Sequence, residues 1–144
     1  MKHEWKKQEK NLYGAKTTPN LVTVPAQKYI MIDGKGNPND TNFSHRVSVL
    51  FSLAYTIKMR YKKWIANRNL EHDIDDFTVY PLEGIWSLPI GTELVKENLE
   101  YKIMIRQPDF IRREMFVSAL EQIKVKKPSP LFHEVYFDMV QEET

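Results

Sequence analysis

SHRVSVLFSLAYTIKMRYKKWI, residues 44–65, carries the clearest period in the chain: Val47, Leu50, Phe51, Ala54, Ile57, Tyr61, Trp64 and Ile65 recur at steps of three and four. That spacing gathers the apolar side chains on one side of an α-helix and leaves the charged ones on the other. It predicts a long amphipathic helix from Ser44 to about Ile65, with Ser44 as N-cap. A helix of this kind must lay its apolar stripe on another layer.

Strand-like segments lie on both sides of it. Upstream, Leu21 to Asp33 is rich in Val, Ile, Thr and Tyr, with Pro25 pointing to an edge position or a bulge, and Asp33-Gly34-Lys35-Gly36-Asn37-Pro38 stops the run. Residues 1–20 are polar and end in Thr17-Thr18-Pro19-Asn20, a lead-in segment with room for a short helix carrying Trp5. The domain proper is therefore expected over 21–144. Downstream, a polar linker from Asn67 to Asp76 precedes two strands, Phe77 to Trp86 and Leu99 to Gln107, joined as a hairpin by a loop containing Pro89 and Gly91. Pro108-Asp109 breaks the second, and Asp109 is the expected N-cap of a helix burying Phe116, Ala119, Leu120 and Ile123 before Pro128 and Pro130 end it. Leu131 to Val140 alternates as a last strand, with Val135, Phe137 and Met139 on one side and Glu134, Tyr136 and Asp138 on the other. The order β, α, β, β, α, β predicts an α+β fold, an antiparallel sheet with both helices on one face.

Composition narrows the function classes. The 144 residues suit one domain, and 42% hydrophobic with 12% aromatic residues is too apolar for a disordered chain. There is no cysteine, which removes disulfides, thiolate nucleophiles and cysteine-based metal sites. No apolar stretch approaches the roughly 20 residues of a spanning helix, and the basic N-terminus lacks the apolar segment of a signal peptide. A cytoplasmic protein without a membrane partner is expected. The net charge of +2, from 21 basic and 19 acidic residues, gives no strong attraction for polyanions. The clusters Lys2, Lys6, Lys7, Lys10 and Lys124, Lys126, Lys127 read as solvated helix ends, so no direct nucleic-acid partner is expected. His3, His45, His72 and His133 lack metal-ligand spacing, Gly-x-Ser-x-Gly is absent, and Asp33-Gly34-Lys35-Gly36 lacks the other positions of a phosphate loop. Neither metal nor cofactor is expected.

With helices on one face only, the reverse face must be polar, be covered by another chain, or bind something. Alternation groups Ile30, Ile32, Val79, Ile85, Ile103 and Ile105, assigned beneath the helices. It sets Tyr29, Met31, Tyr80, Leu82, Trp86, Met104 and Arg106 on the reverse face. Aromatics mixed with adaptable Met suit a pocket for a small organic molecule; the competing reading packs this set against the N-terminal segment or a second copy in a homodimer. Glu83 is the nearest carboxylate. Strict alternation sends it away from Tyr80 and Trp86 unless Pro81 or Gly84 re-aims the strand. Glu134 and Asp138 are weaker acidic candidates.

Four stretches together suggest a family: Val24-Pro25 through Tyr29-Ile30-Met31-Ile32-Asp33-Gly34-Lys35-Gly36-Asn37-Pro38; Ala54-Tyr55-Thr56-Ile57-Lys58; Tyr80-Pro81-Leu82-Glu83-Gly84-Ile85-Trp86; and Met104-Ile105-Arg106-Gln107-Pro108-Asp109-Phe110. In this order the chain resembles the GyrI-like small-molecule-binding proteins. The resemblance implies a duplicated βαββ arrangement, shared with effector domains of multidrug-sensing regulators, and ligands that are aromatic and often cationic. Some stand-alone members are similar to cyclopropanoid cyclohydrolases, which add water to a strained ring. By motif position Glu83 becomes the acid or cation partner, and Tyr80 and Trp86 the stacking platform. A hydrolase reading would have Glu83 activate water and Tyr55 or Tyr80 donate to the leaving group. The family continues past the position of Val140, whereas Thr144 is the last residue here, and Ser87 stands where relatives carry a second aromatic. The expectation is thus a truncated form, a half completed by dimerisation, or an open pocket. Three functions follow: a binding module for aromatic or cationic compounds in sensing, sequestration or resistance, a ring-opening hydrolase, and a protein-interaction domain.

Overall fold

The computed structural model describes residues 2–3, 26–68 and 76–140. The lead-in beyond His3, the first part of the expected Leu21 strand and most of the polar linker lie outside them.

Among the described residues the strands are β1 (Lys2–His3), β2 (Gln27–Lys35), β3 (Asp76–Phe77), β4 (Leu82–Ser87), β5 (Glu100–Gln107) and β6 (Tyr136–Val140). The helices are α1 (Thr41–Arg68) and α2 (Arg113–Lys126). Four strands make one antiparallel sheet in the order β4-β5-β2-β6, and β1 pairs in parallel with β3 as a separate two-stranded piece. This is the α+β architecture the element order predicted.

Both helices cover one face. Ile30 and Ile32 of β2 and Ile103 and Ile105 of β5 are fully buried against Leu50, Leu53 and Ile57 of α1 and Phe116, Ala119 and Ile123 of α2. Each such aliphatic side chain contributes roughly 1.5–3 kcal/mol by leaving water, so this layer anchors the sheet. Across the helix pair, Arg60 donates to Gln122 and Ser118.

Several boundaries differ from expectation, each for a local reason. α1 starts at Thr41 because the carbonyl of Asp40 already accepts from the N–H groups of Phe43 and Ser44. Ser44 is thus inside the first turn, where its hydroxyl donates to the Thr41 carbonyl at 2.9 Å. Asp109 does not cap α2: Pro108 to Ile111 forms a turn, the Lys28 ammonium donates to the carbonyls of Asp109 and Ile111, and Arg112 is the extended N-cap. The last strand is shorter than expected because Pro130–His133 winds into a 3-10 turn whose Leu131 N–H donates to the Ser129 hydroxyl and whose Phe132 N–H donates to the Ser129 carbonyl. The Phe77-to-Trp86 segment is not one strand; it is interrupted between Phe77 and Leu82.

Two glycines make the close approaches of the sheet possible. A Cβ on Gly34 would lie 2.2 Å from the Tyr101 ring, and one on Gly84 would lie 2.3 Å from the Trp86 ring. Each aromatic lies across the backbone of a glycine, which is what a glycine inside a strand provides.

Candidate functional site

The reverse face is assembled by strand register. Residues directly opposite on antiparallel strands share a face. Arg106 faces Tyr29, which faces Asp138; Glu83 faces Met104, which faces Met31, which faces Tyr136; Ile85 faces Lys102, which faces Asp33. With strands about 4.8 Å apart, the row from Glu83 to Tyr136 spans roughly 14 Å. Glu83 and Tyr136 stand at its two ends with a pair of methionines between.

Two parts of this face differ in access. Tyr29, Met31 and Met104 are only 1–4% exposed and pack with Tyr136 and Val140; Gln27 and Arg106 are buried beside them. Further along the strands the face opens into a hollow of about 600 Å³. It is lined by Ile85 and Ser87 of β4, Glu100, Tyr101 and Lys102 of β5, Asp33, Gly34 and Lys35 of β2, and Arg46 and Glu134 at the rim. Ligand pockets commonly occupy 300–1,000 Å³ (an order-of-magnitude range). The hollow adjoins the Glu83 row directly, because Ile85, Lys102 and Asp33 are each two residues along from Glu83, Met104 and Met31.

Charge in the hollow is balanced and tethered. Arg46 donates through Nε to the Asp33 carbonyl at 3.1 Å and lies 3.6 Å from Glu134. The Tyr136 hydroxyl donates to Asp33 Oδ1 at 2.9 Å, and Lys102 Nζ sits 5.9 Å from the centre of the Tyr136 ring. Burial pushes the Tyr136 phenol well above its ordinary value, and the neighbouring Asp33 carboxylate adds to the shift, so Tyr136 stays a donor. Burial also raises the Tyr101 phenol, with Arg46 opposing.

Tyr29, Met31, Met104 and Arg106 occupy the reverse face as expected. Leu82 and Trp86 do not. The interruption after Phe77 sets the phase of β4 so that Leu82, Gly84 and Trp86 point to the helix side, opposite Ile105, Ile103 and Tyr101. The Trp86 ring is 6.3 Å from Phe43 of α1 and 6.5 Å from Tyr101. The same phase turns Ile85 outward to the reverse face, 51% exposed, and Val79 lies outside any strand. Tyr80 is 1% exposed within the main core, with the Arg106 guanidinium 5.0 Å from its ring centre. Neither ring is the open platform that alternation suggested. Glu83, conversely, is on the reverse face without any bulge. Tyr55 is exposed on α1, which covers the opposite side of the sheet, so it cannot act with Glu83 on one molecule. Asp138 is on the reverse face beside Tyr29, while Glu134 precedes β6 at the rim of the hollow. Asp33, Arg46, Glu100, Tyr101 and Lys102 line the hollow without having been site candidates, Ile85 had been assigned to the other face, and Tyr136 adjoins the hollow through Asp33. Asp33 and Lys102 were within reach of the alternation pattern, two residues from Met31 and Met104.

Among the described residues no cluster of His, Asp and Glu could hold a metal ion, and no helix is long and apolar enough to cross a membrane.

Fold and face together define an α+β protein with an antiparallel sheet whose two described helices lie on one face and whose reverse side is mixed polar and methionine-lined. Solved structures from Listeria innocua share that fold. An uncharacterized conserved protein is 32% identical, with a TM-score of 0.78 over 98% of this chain and 68% of its own. A hydrolase is 31% identical, with a TM-score of 0.74 over 98% and 69%. A further hydrolase structure is 32% identical, with a TM-score of 0.78 over 99% and 68%. No protein-family model and no curated protein matches the chain. At this identity over nearly its whole length, the chain belongs to the family of these Listeria proteins.

Proposed function

We propose that the reverse face binds small aromatic or cationic organic molecules, entering through the hollow, with Glu83 as the charge partner. The observation that carries this reading is the placement of Glu83 in one row with Met104 and Met31, next to an opening of about 600 Å³ lined in part by Ile85 and Lys102. A carboxylate set beside methionine side chains offers an entering organic cation a charge partner and apolar contact together. The methionines adapt to ligands of different outline. The resemblance to GyrI-like proteins supports the same ligand class.

Titration with a panel of fluorescent cationic and neutral aromatics tests it. Saturable binding of the cations is expected, weakened about tenfold in Glu83→Gln, equivalent to about 1.4 kcal/mol. Absence of saturable binding, or equal affinity in the variant, rejects the assignment.

A second reading, hydrolysis of strained-ring alkylators, is supported by the description of two Listeria structures as hydrolases. Glu83 would then position or deprotonate the attacking water. Turnover of a cyclopropane-containing alkylator that persists unchanged in Glu83→Gln counts against it.

A further inference from the structure

The two edges of the sheet are built differently. On the β6 side the backbone is guarded: the Met139 N–H is taken by the Asp138 carboxylate at 2.8 Å, and the Asp33 carbonyl, where β2 runs on past β6, is taken by Arg46. Both contacts occupy backbone groups that another strand would need. The β4 edge carries no such device. Leu82–Ser87 holds neither Pro nor Lys, pairs with β5 residue for residue without a bulge, and has no strand on its outer side among the described residues. Gly84 to Ser87 are all exposed, including Ile85 at 51% and Trp86 at 44%. An unbulged edge whose only charged side chain, Glu83, points to the reverse face is a template for strand addition.

We propose that β4 pairs antiparallel with β4 of a second copy of this chain about a two-fold axis at Gly84, joining the two sheets into one. This inference stands apart from the ligand reading. With the helices of both copies on the same side, facing residues must share a face, so the axis passes through a residue rather than between two. An axis at Glu83 would set two carboxylates against each other. An axis at Ile85 would bring the partner's Trp86 onto Gly84, where the ring of the chain's own Trp86 already fills the space a Cβ would take. The axis at Gly84 avoids both. It sets Leu82 beside the partner subunit's Trp86 on the helix side and Glu83 beside the partner subunit's Ile85 on the reverse side, covering the two half-exposed apolar residues.

The register makes the effect of charge depend on its sign. Light scattering behind size exclusion should give twice the 17.1 kDa chain mass. Ile85→Glu, which sets like charges side by side twice, should weaken association at least tenfold. Ile85→Lys, facing the partner subunit's Glu83, should leave the dimer intact. A monomeric wild type overturns the pairing, and equal loss in both variants overturns the register. Because the chain has no cysteine, Ile85→Cys supplies a single thiol. Its counterpart lies on the diagonal about 7 Å away, so a short bis-maleimide should link two copies. Val117→Cys, exposed on α2, should not link. Absent linkage at 85, or equal linkage at 117, overturns the proposal whether or not Ile85→Glu folds.

Discussion

The two faces of the sheet are made by alternate residues of the same strands, yet they are chemically unlike. Ile30, Ile32, Ile103 and Ile105 on the helix side are uniformly aliphatic. On the reverse side Tyr29, Met31 and Met104 are almost as deeply buried, but they share their rows with Arg106, Asp138 and Glu83, and the next row holds Lys102 and Asp33. Hydrophobic burial explains the first set completely. It does not by itself explain the second, because ionised groups gain nothing from leaving water and need partners wherever they are set among methionine and tyrosine. Stability is concentrated on one face and chemistry on the other.

The largest expected effect breaks this comparison directly. Ile30→Ala leaves a cavity under α1 and should cost about 3–4 kcal/mol by urea unfolding, in the range for a fully buried aliphatic truncation. Met31→Leu, one residue along and on the other face, should cost less than about 1.5 kcal/mol because the volume of the side chain is kept. A Met31→Leu penalty matching that of Ile30→Ala would show that the reverse face is a second rigid core rather than an adaptable floor.

The same contrast explains what was legible in the sequence. α1 and the strands carrying Ile30 and Ile103 announced themselves because a 3.6 or a 2.0 period survives when one side of an element is uniformly apolar. The placement of Tyr29, Met31, Met104 and Arg106 followed from that period. Alternation gives β4 the wrong phase because it takes Phe77 to Trp86 as one uninterrupted strand, whereas Phe77 belongs to the separate β1–β3 pair and the chain enters the four-stranded sheet at Leu82. A break of this kind resets alternation, and Ile85, an aliphatic residue on the reverse face, disguised the error. Trp86 goes to the helix side because Gly84 leaves room for its ring, a pairing of positions that shows only once register is known. The hollow was not legible at all: it needs β6 to begin only at Tyr136, opposite Met31, while β2 runs on to Lys35, which depends on where the turn at Pro130 releases the chain.

A smaller effect sharpens the comparison at the two glycines. Gly34→Ala drives a methyl into the ring of Tyr101, which is buried and held edge-on by Phe43 at 5.2 Å. The ring cannot move without disturbing α1, so a loss of about 2 kcal/mol is expected, as for overpacking elsewhere. Gly84→Ala meets Trp86, a residue 44% exposed whose ring can yield toward solvent. Its cost should stay below about 1 kcal/mol, the ordinary size of a tolerated strand substitution. Equal losses at the two sites would mean that Trp86 is as firmly held as Tyr101.

The smallest effect concerns the hydrogen bond from Tyr136 to Asp33. Tyr136→Phe removes the donor and should cost about 1 kcal/mol near neutral pH, typical of one hydrogen bond. The pH dependence separates this bond from simple loss of packing. An unfolded tyrosine ionises near 10.0, while in the folded chain burial and the Asp33 carboxylate hold the phenol protonated well beyond that. The contribution of Tyr136 is therefore fully present below pH 10 and declines as pH rises above it, because the unfolded state alone gains from releasing the proton. The wild-type protein should lose stability over that range faster than Tyr136→Phe, and the gap between their urea midpoints should narrow. A gap that stayed constant above pH 10 would place the phenol in solvent, with no hold on Asp33 and no part in shaping that end of the hollow.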